Sequence, residues 1–122
     1  MKYMLQMIVD ESSWTNLTPE QMQPMLDEME RYNDQLRGAG AWVSGEGLDY
    51  SDSARTVRVS DGQRSVTDGP HSPGGDQFGG FWIIEADTMD DAVEWAKRVP
   101  MTNGAVEVRP LIPEDSGAEQ QP

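Results

Sequence analysis

The chain of 122 residues carries 9 Lys and Arg against 22 Asp and Glu, a formal net charge of -13 at pH 7. This length suits one domain, and so acidic a surface repels phosphate backbones and anionic lipids, so we expect no nucleic-acid or membrane partner. The absence of cysteine excludes disulfides and thiolate chemistry, and the single histidine, His71, leaves little for a metal site. We therefore expect neither a metal nor a cofactor.

The first predicted element is a strand, because residues 3–9 (YMLQMIV) form a short and mostly apolar run. This composition indicates a central strand that is buried on much of both faces. The run is shorter than the apolar core of a signal peptide, and no small-residue cleavage site follows it. Since no later segment is apolar enough to span a bilayer, we expect a cytoplasmic protein.

The second predicted element is a helix that begins after Thr18 and ends at a pair of glycines near residue 40. Thr18 and Gln21 have the spacing of a capping box, and Pro19 takes the first helical position, where proline is favoured. Pro24 lacks a backbone donor and is expected to bend or loosen the first turns. The apolar stripe of this helix, which Asn33 interrupts, consists of Met22, Met25, Leu26, Met29 and Leu36.

Three further strands are predicted in the middle of the chain, at residues 41–48, 54–59 and 64–67. Gly45 and Gly47 interrupt the first of these strands, which indicates a bulge or a close approach of two backbones. Asp61 and Gly62 separate the other two strands. Because these residue types accept positive φ angles, they predict a type I′ hairpin turn.

The second half of the chain is predicted to contain a long loop, two strands and one helix. Residues 68–80 include five glycines and two prolines, a composition that favours a loop. A strand at 81–86, a helix capped by Thr88 and ended by Pro100, and a last strand at 105–109 follow. Residues 113–122 lack large apolar side chains and are predicted to be a disordered acidic tail, which leaves residues 1–112 as the domain.

This order of elements predicts an α+β fold, the ferredoxin-like βαββαβ sandwich with an extra hairpin strand. Two helices cover only one face of such a sheet. The other face is then expected to expose apolar area, which we assign to Trp42, Trp82 and the neighbouring strands. A homodimer that buries this face is therefore predicted.

Six segments taken together resemble the YCII-related family and, more narrowly, its DGPF-motif branch. They are MKYMLQMIVDE, TPEQM, SGEGL, TVRVSDGQRSVTDGP, GGFWIIEADTMDDAVEWAKRVP and VEVRP. The resemblance spans roughly residues 1–110. It implies a dimeric α/β-barrel in which two sheets pack face to face and leave a cavity between sheet and loops.

The resemblance also implies a function in handling small molecules, and some DGPF relatives are associated with alternative sigma factors. The motif of that branch reads Asp68-Gly69-Pro70 in this chain, and His71 stands where the branch has phenylalanine. Some YCII-like relatives carry a proposed His/Asp active-site pair, but this chain has no histidine early in its sequence to match it.

Three residues are candidates for catalysis. Asp68 and His71 lie three positions apart in one loop, and a carboxylate that orients an imidazole makes a general base. In the alternative, Asp68 caps the turn and His71 is exposed to solvent. Glu46, between two glycines, is expected to act as a base or polar anchor, or else to point outward from a bulged strand.

Four residues are candidates for a ligand pocket: Trp42, Arg58, Pro70 and Trp82. The indoles, with Phe81, offer apolar walls for a ligand, but they also suit a dimer interface. Arg58 is expected to pair either with a ligand carboxylate or with an acidic neighbour such as Glu46.

The leading hypothesis is a cofactor-independent lyase or isomerase in which His71, with Asp68 and Glu46, transfers a proton in a pocket walled by the two indoles. One alternative is a non-catalytic ligand-binding or regulatory (sigma-factor-associated) dimeric module. Another is a structural domain whose sheet face serves only dimerisation. Asp68 and His71 both pointing into a pocket would favour catalysis, whereas an apolar cavity with His71 outside it would favour binding.

Overall fold

Six β strands, two α helices and two short 3-10 turns make up the fold, which we describe for residues 1–113 from a computed structural model. In chain order they are β1 (Lys2–Val9), a 3-10 turn (Glu11–Ser13), α1 (Pro19–Gly38), β2 (Trp42–Gly47), a second 3-10 turn (Ser51–Ser53), β3 (Arg55–Ser60), β4 (Gln63–Asp68), β5 (Gln77–Glu85), α2 (Met89–Lys97) and β6 (Ala105–Pro110). The predicted acidic tail lies, apart from Pro113, outside the described residues.

Four strands form one antiparallel sheet in the order β2-β5-β1-β6, so β1 is central as predicted. Its side chains alternate between buried and half-buried, with Tyr3, Leu5, Met7 and Val9 buried. Within the single chain only one face of β1 is fully buried, because both helices pack on that face. The α+β, ferredoxin-like fold class is confirmed.

Both helices begin at the caps that the sequence predicts. The Thr18 hydroxyl accepts a hydrogen bond from the Gln21 backbone N–H, and the Gln21 side chain accepts one from the Thr18 N–H, which completes the capping box. Thr88 caps α2 through the backbone N–H of Asp91. Neither helix of residues 1–113 is long and apolar enough to cross a membrane.

The core lies between the helices and β1, and its central contact is an aromatic cluster. Tyr32 of α1 packs edge-on against Trp82 and Trp95, with ring centroids 5.1 and 6.2 Å away, and its hydroxyl donates to the Trp95 carbonyl at 2.8 Å. Of the predicted apolar stripe of α1, only Leu36 is fully buried, whereas Leu26 is 54% exposed. The first half of α1 therefore packs less tightly than its amphipathic pattern suggests.

The placement of Trp42 and Trp82 on the uncovered sheet face is a wrong prediction. Trp82 pairs with Leu5, whose side chain faces the helices, and it is only 6% exposed; Trp42 also packs against the core. Strand register determines which face of the sheet each tryptophan occupies, because a shift of one residue moves a side chain to the opposite face. The apolar side chains of the uncovered side, here called the open face, are Met4, Ile8, Phe78, Phe81 and Ile83.

Strands β3 and β4 form a separate two-stranded sheet and do not extend the four-stranded one. Their two-residue turn has positive φ at Asp61 (51°) and Gly62 (77°), so the predicted type I′ turn is confirmed. Three valines of the hairpin, Val57, Val59 and Val66, are exposed.

The predicted loop at 68–80 is shorter than expected, because β5 already begins at Gln77. Ile8 pairs with Phe78 and Met7 with Gly80, so Gly79 is an extra residue at a β-bulge. A Cβ on Gly79 would lie 2.8 Å from Val9 Cγ2, so a larger residue at this position would clash with the Val9 side chain. Of the five glycines of this segment, Gly79 and Gly80 thus lie in the sheet, whereas the other three lie in the loop with positive φ.

Candidate functional site

A cavity of about 380 Å³ lies between the first half of α1 and the glycine-rich ends of β2 and β5. Most of its lining is apolar. The lining residues are Met7, Trp14, Met22, Met25, Leu26, Met29, Asn33, Gly45, Glu46, Gly47, Leu48, Gly79, Gly80, Phe81 and Trp82. An apolar cavity with very few polar groups is the usual form of a small-molecule site.

The floor of the cavity is open because glycines occupy positions whose side chains would otherwise fill it. Gly47 pairs with Gly80, and Gly80 pairs with Met7, so all three face the helices. A Cβ built on Gly47 meets no atom within 4 Å and would enter open space. A Cβ on Gly45 would lie 2.9 Å from Trp82 Cδ1 and 3.2 Å from the Phe81 carbonyl oxygen, and the register of β2 against β5 shifts between Trp42 and Ser44, so β2 has both a close neighbour at Gly45 and an irregularity before it.

Asn33 is the polar side chain that α1 contributes to this cavity. The Trp82 indole N–H donates to Asn33 Oδ1 at 2.8 Å, across 49 residues of sequence. Because an indole nitrogen only donates, the amide oxygen must face Trp82 and the amide nitrogen must face away from it. In the sequence, Asn33 stands out only as a polar interruption of the apolar stripe of α1. That interruption is the signal by which this residue could have been identified.

Glu46 lies at the edge of the cavity and not inside it. It pairs with Phe81, one residue from the pair of Gly45 and Trp82, so its side chain alternates to the open face. Its side chain is exposed. This position matches the outward-pointing alternative for Glu46 more closely than the role of a base within the cavity.

His71 is bound by Arg58 in the structure. Arg58 Nη1 lies 3.1 Å from His71 Nδ1, and Arg58 Nη2 donates to the His71 carbonyl oxygen at 3.1 Å. Since a guanidinium has only donors, Nδ1 must accept, which assigns the ring proton to Nε2. Arg58 thus pairs with His71 and not with Glu46.

Asp68 lies apart from His71. Its carboxylate is 3.5 Å from Arg55 Nε on the neighbouring strand, and its side chain is 92% exposed. Across the part of the chain that the structure describes, no hydrogen bond joins Asp68 to His71. The structure therefore brings Arg58 and His71 together and leaves Asp68 outside that contact.

Pro70 and His71 line a second, more open groove of about 530 Å³, together with Tyr50, Thr56 and Phe78. The candidate residues are thus divided between two places, with Glu46 and Trp82 at the apolar cavity. Trp42 lines neither of these two sites; it packs on the core under Arg37, whose guanidinium carbon is 4.4 Å from the ring centroid.

Two side chains have pKa shifts with clear physical causes. Burial raises the pKa of Tyr32, which lies beside Trp82. Hydrogen bonds from the Ser12 hydroxyl and backbone N–H lower the pKa of Asp10, which follows β1. Within residues 1–113, no three acidic or histidine side chains are grouped so as to hold a metal ion.

Comparison with known proteins supports the sequence resemblance. The pattern of the YCII-related domain matches residues 1–115. An uncharacterized protein of Rhizobium meliloti is 37% identical over 62 residues, which are 48% of this chain and 50% of that protein. The chain thus spans about half the length of this curated relative. Because the family pattern covers nearly the whole chain, this protein belongs to the family of YCII-related domains.

Proposed function

We propose that this protein is a small-molecule-binding module and that its ligand occupies the cavity beneath α1. The observation that carries the proposal is the cavity itself, an apolar space of about 380 Å³ with a glycine floor and one oriented amide. Preformed sites of this kind gain affinity from apolar burial and selectivity from a few placed polar groups.

Binding without turnover is favoured over proton transfer by His71. A general base needs a free ring nitrogen within reach of the substrate and an orienting partner. Arg58 contacts Nδ1, Asp68 faces Arg55, and His71 lies outside the apolar cavity. The lyase or isomerase hypothesis requires that Arg58 leave His71 and that substrate enter the open groove.

We also propose that the protein is a homodimer of the DGPF type, a dimeric α/β-barrel closed by the open face. Phe78 is 43% exposed there, and its ring centroid is 6.4 Å from that of Phe81. Exposed apolar side chains grouped on one sheet face favour burial against a partner. The Asp68-Gly69-Pro70 motif supports the assignment to this branch, and a ligand-binding dimer without turnover suits the sigma-factor-associated regulatory role.

The ligand-binding proposal is tested with N-phenyl-1-naphthylamine, an uncharged probe that fluoresces in apolar sites. We expect saturable binding to the native protein and at least tenfold weaker binding to Gly47→Leu, because the new side chain enters the cavity without displacing atoms near its Cβ. Gly38→Leu is the matched control. A Cβ at Gly38 also meets nothing within 4 Å, but this residue ends α1 outside the cavity.

Equal binding to both leucine variants, or no saturable binding to the native protein, would contradict the proposal. His71→Ala distinguishes the catalytic hypothesis. We expect this variant to bind the probe as the native protein does, because His71 does not line the cavity.

A further inference from the structure

We infer that the cavity selects uncharged, largely apolar molecules that carry an accepting oxygen, such as an aromatic ketone, and that the Asn33 amide donates to this oxygen. This inference rests on the proposed function, since it names the class of ligand for the same cavity. It makes Asn33 a residue that determines specificity.

The orientation of the Asn33 amide determines which of its groups can reach a ligand. Its oxygen already accepts from the Trp82 indole at 2.8 Å, so its two N–H groups are the part available to a ligand. Among residues 1–113, no acceptor bonds to the Asn33 amide nitrogen. The indole thus holds the amide in the orientation that presents donors.

The N–H groups of Asn33 favour a ligand that carries a hydrogen-bond acceptor. Asn33 is half-buried and lies one helical turn after Met29 on the cavity side of α1, so an apolar ligand that covers it would strip water from both N–H groups. A donor that loses water without gaining a partner opposes binding. A ligand oxygen placed against Asn33 removes this penalty, so an acceptor-bearing ligand binds better than its hydrocarbon analogue.

The residues around the cavity disfavour a charged ligand. Among residues 1–113, no Lys, Arg or His lines the cavity, and Glu46 at its edge is the only ionisable lining residue. A ligand carboxylate or phosphate would therefore be buried without a cationic partner, in a protein of net charge -13. A ligand ammonium would meet the donor face of Asn33. An uncharged acceptor, such as a carbonyl oxygen, fits both constraints.

The apolar residues that line the cavity indicate the shape of the apolar part of the ligand. Met22, Met25 and Met29 form one wall, and Trp14 and Trp82 contribute indoles. Methionine side chains adapt to irregular ligands and make favourable contacts with aromatic rings. The walls therefore suit an apolar aromatic ring system.

The test measures how 2-acetylnaphthalene and 2-ethylnaphthalene displace N-phenyl-1-naphthylamine from the native protein and from Asn33→Asp. These two competitors have nearly the same shape and differ by a carbonyl. A carboxylate at position 33 still accepts from the Trp82 N–H but offers no donor. Both competitors cover the new carboxylate and lose affinity from its desolvation, but only the ketone also loses a donor, so we expect the variant to weaken ketone binding about tenfold more than it weakens hydrocarbon binding.

Two outcomes would overturn the inference: an equal loss for both competitors, or no loss for the ketone. If Asn33→Asp does not fold, infrared spectroscopy of the ketone bound to the native protein decides the question. A carbonyl stretch at lower wavenumber than in hexane supports the donor, and an unshifted stretch refutes it. Gly47→Leu distinguishes a failure of this inference from a failure of the proposed function. If the ketone still binds to that variant, the ligand does not occupy the cavity and the proposed function is wrong.

Discussion

At the scale of single residues, Tyr32 connects the core to the candidate site. Its ring packs edge-on against Trp82, and its hydroxyl reaches the carbonyl of Trp95 on α2. Trp82 in turn donates to Asn33. One buried tyrosine therefore supports the indole that orients the ligand-facing amide, and both helices contribute to that support.

Tyr32→Phe is expected to make the free energy of unfolding less dependent on pH in the alkaline range. Burial raises the pKa of Tyr32 above its ordinary value of 10.0, so the unfolded chain loses this proton at lower pH than the folded protein. The native protein is therefore expected to lose stability as pH rises above about 10, whereas the variant lacks this contribution.

Urea unfolding between pH 7 and pH 11 measures this difference. At pH 7 the variant is expected to be less stable by about 1 kcal/mol, because it lacks the hydrogen bond to Trp95. The gap is expected to narrow above about pH 10. A gap that stays constant across the range would show that burial does not favour the neutral phenol.

At the scale of elements, α1 combines a well-defined start with an internal defect. Its capping box and Pro19 stabilise the first turn, but Pro24 lies inside the helix and lacks the N–H that would bond to the Glu20 carbonyl. Met22 and Met25, on either side of this defect, line the cavity. The helix is therefore weakest where it covers the ligand site.

Pro24→Ala is expected to raise the free energy of unfolding by about 1–3 kcal/mol, because alanine restores a helical donor. Pro19→Ala is the matched control. Proline is favourable at the first helical position, so this variant is expected to gain nothing. Thermal and urea unfolding measure both, and a similar gain in the two variants would contradict the explanation.

At the scale of the whole molecule, the asymmetry of the sheet is the feature that calls for a partner. Both helices lie on one side, and the open face presents Met4, Ile8, Phe78, Phe81 and Ile83. Two such faces packed together would bury these side chains around a common core, which is the physical basis of the proposed dimer.

Light scattering at micromolar concentration is expected to give twice the chain mass of 13.6 kDa. Ile83→Asp is expected to yield monomers, because it places a carboxylate in the middle of the buried face. Val59→Asp, the same kind of change on the exposed hairpin, is the control and should remain dimeric. A monomeric native protein, or dissociation only in the Val59 variant, would refute the assignment of the interface.

Local features were predictable because their causes lie within a few residues of sequence. The Thr18 and Thr88 caps satisfy nearby backbone donors, and Asp61 and Gly62 adopt the positive φ angles of the hairpin turn. The order of strands and helices follows from the same short-range patterns. Short-range patterns are therefore enough to predict the elements and the α+β class.

Which residues meet depends on contacts between distant segments of the chain. Sheet register turns Trp82 toward the helices, and the contact between Asn33 and Trp82 joins residues 49 apart. Arg58 reaches His71 across the hairpin, in place of the expected Asp68. The cavity needs glycines from two strands beneath one helix. Such juxtapositions depend on strand pairing and on packing between distant segments, and a shift of one residue in register would change them.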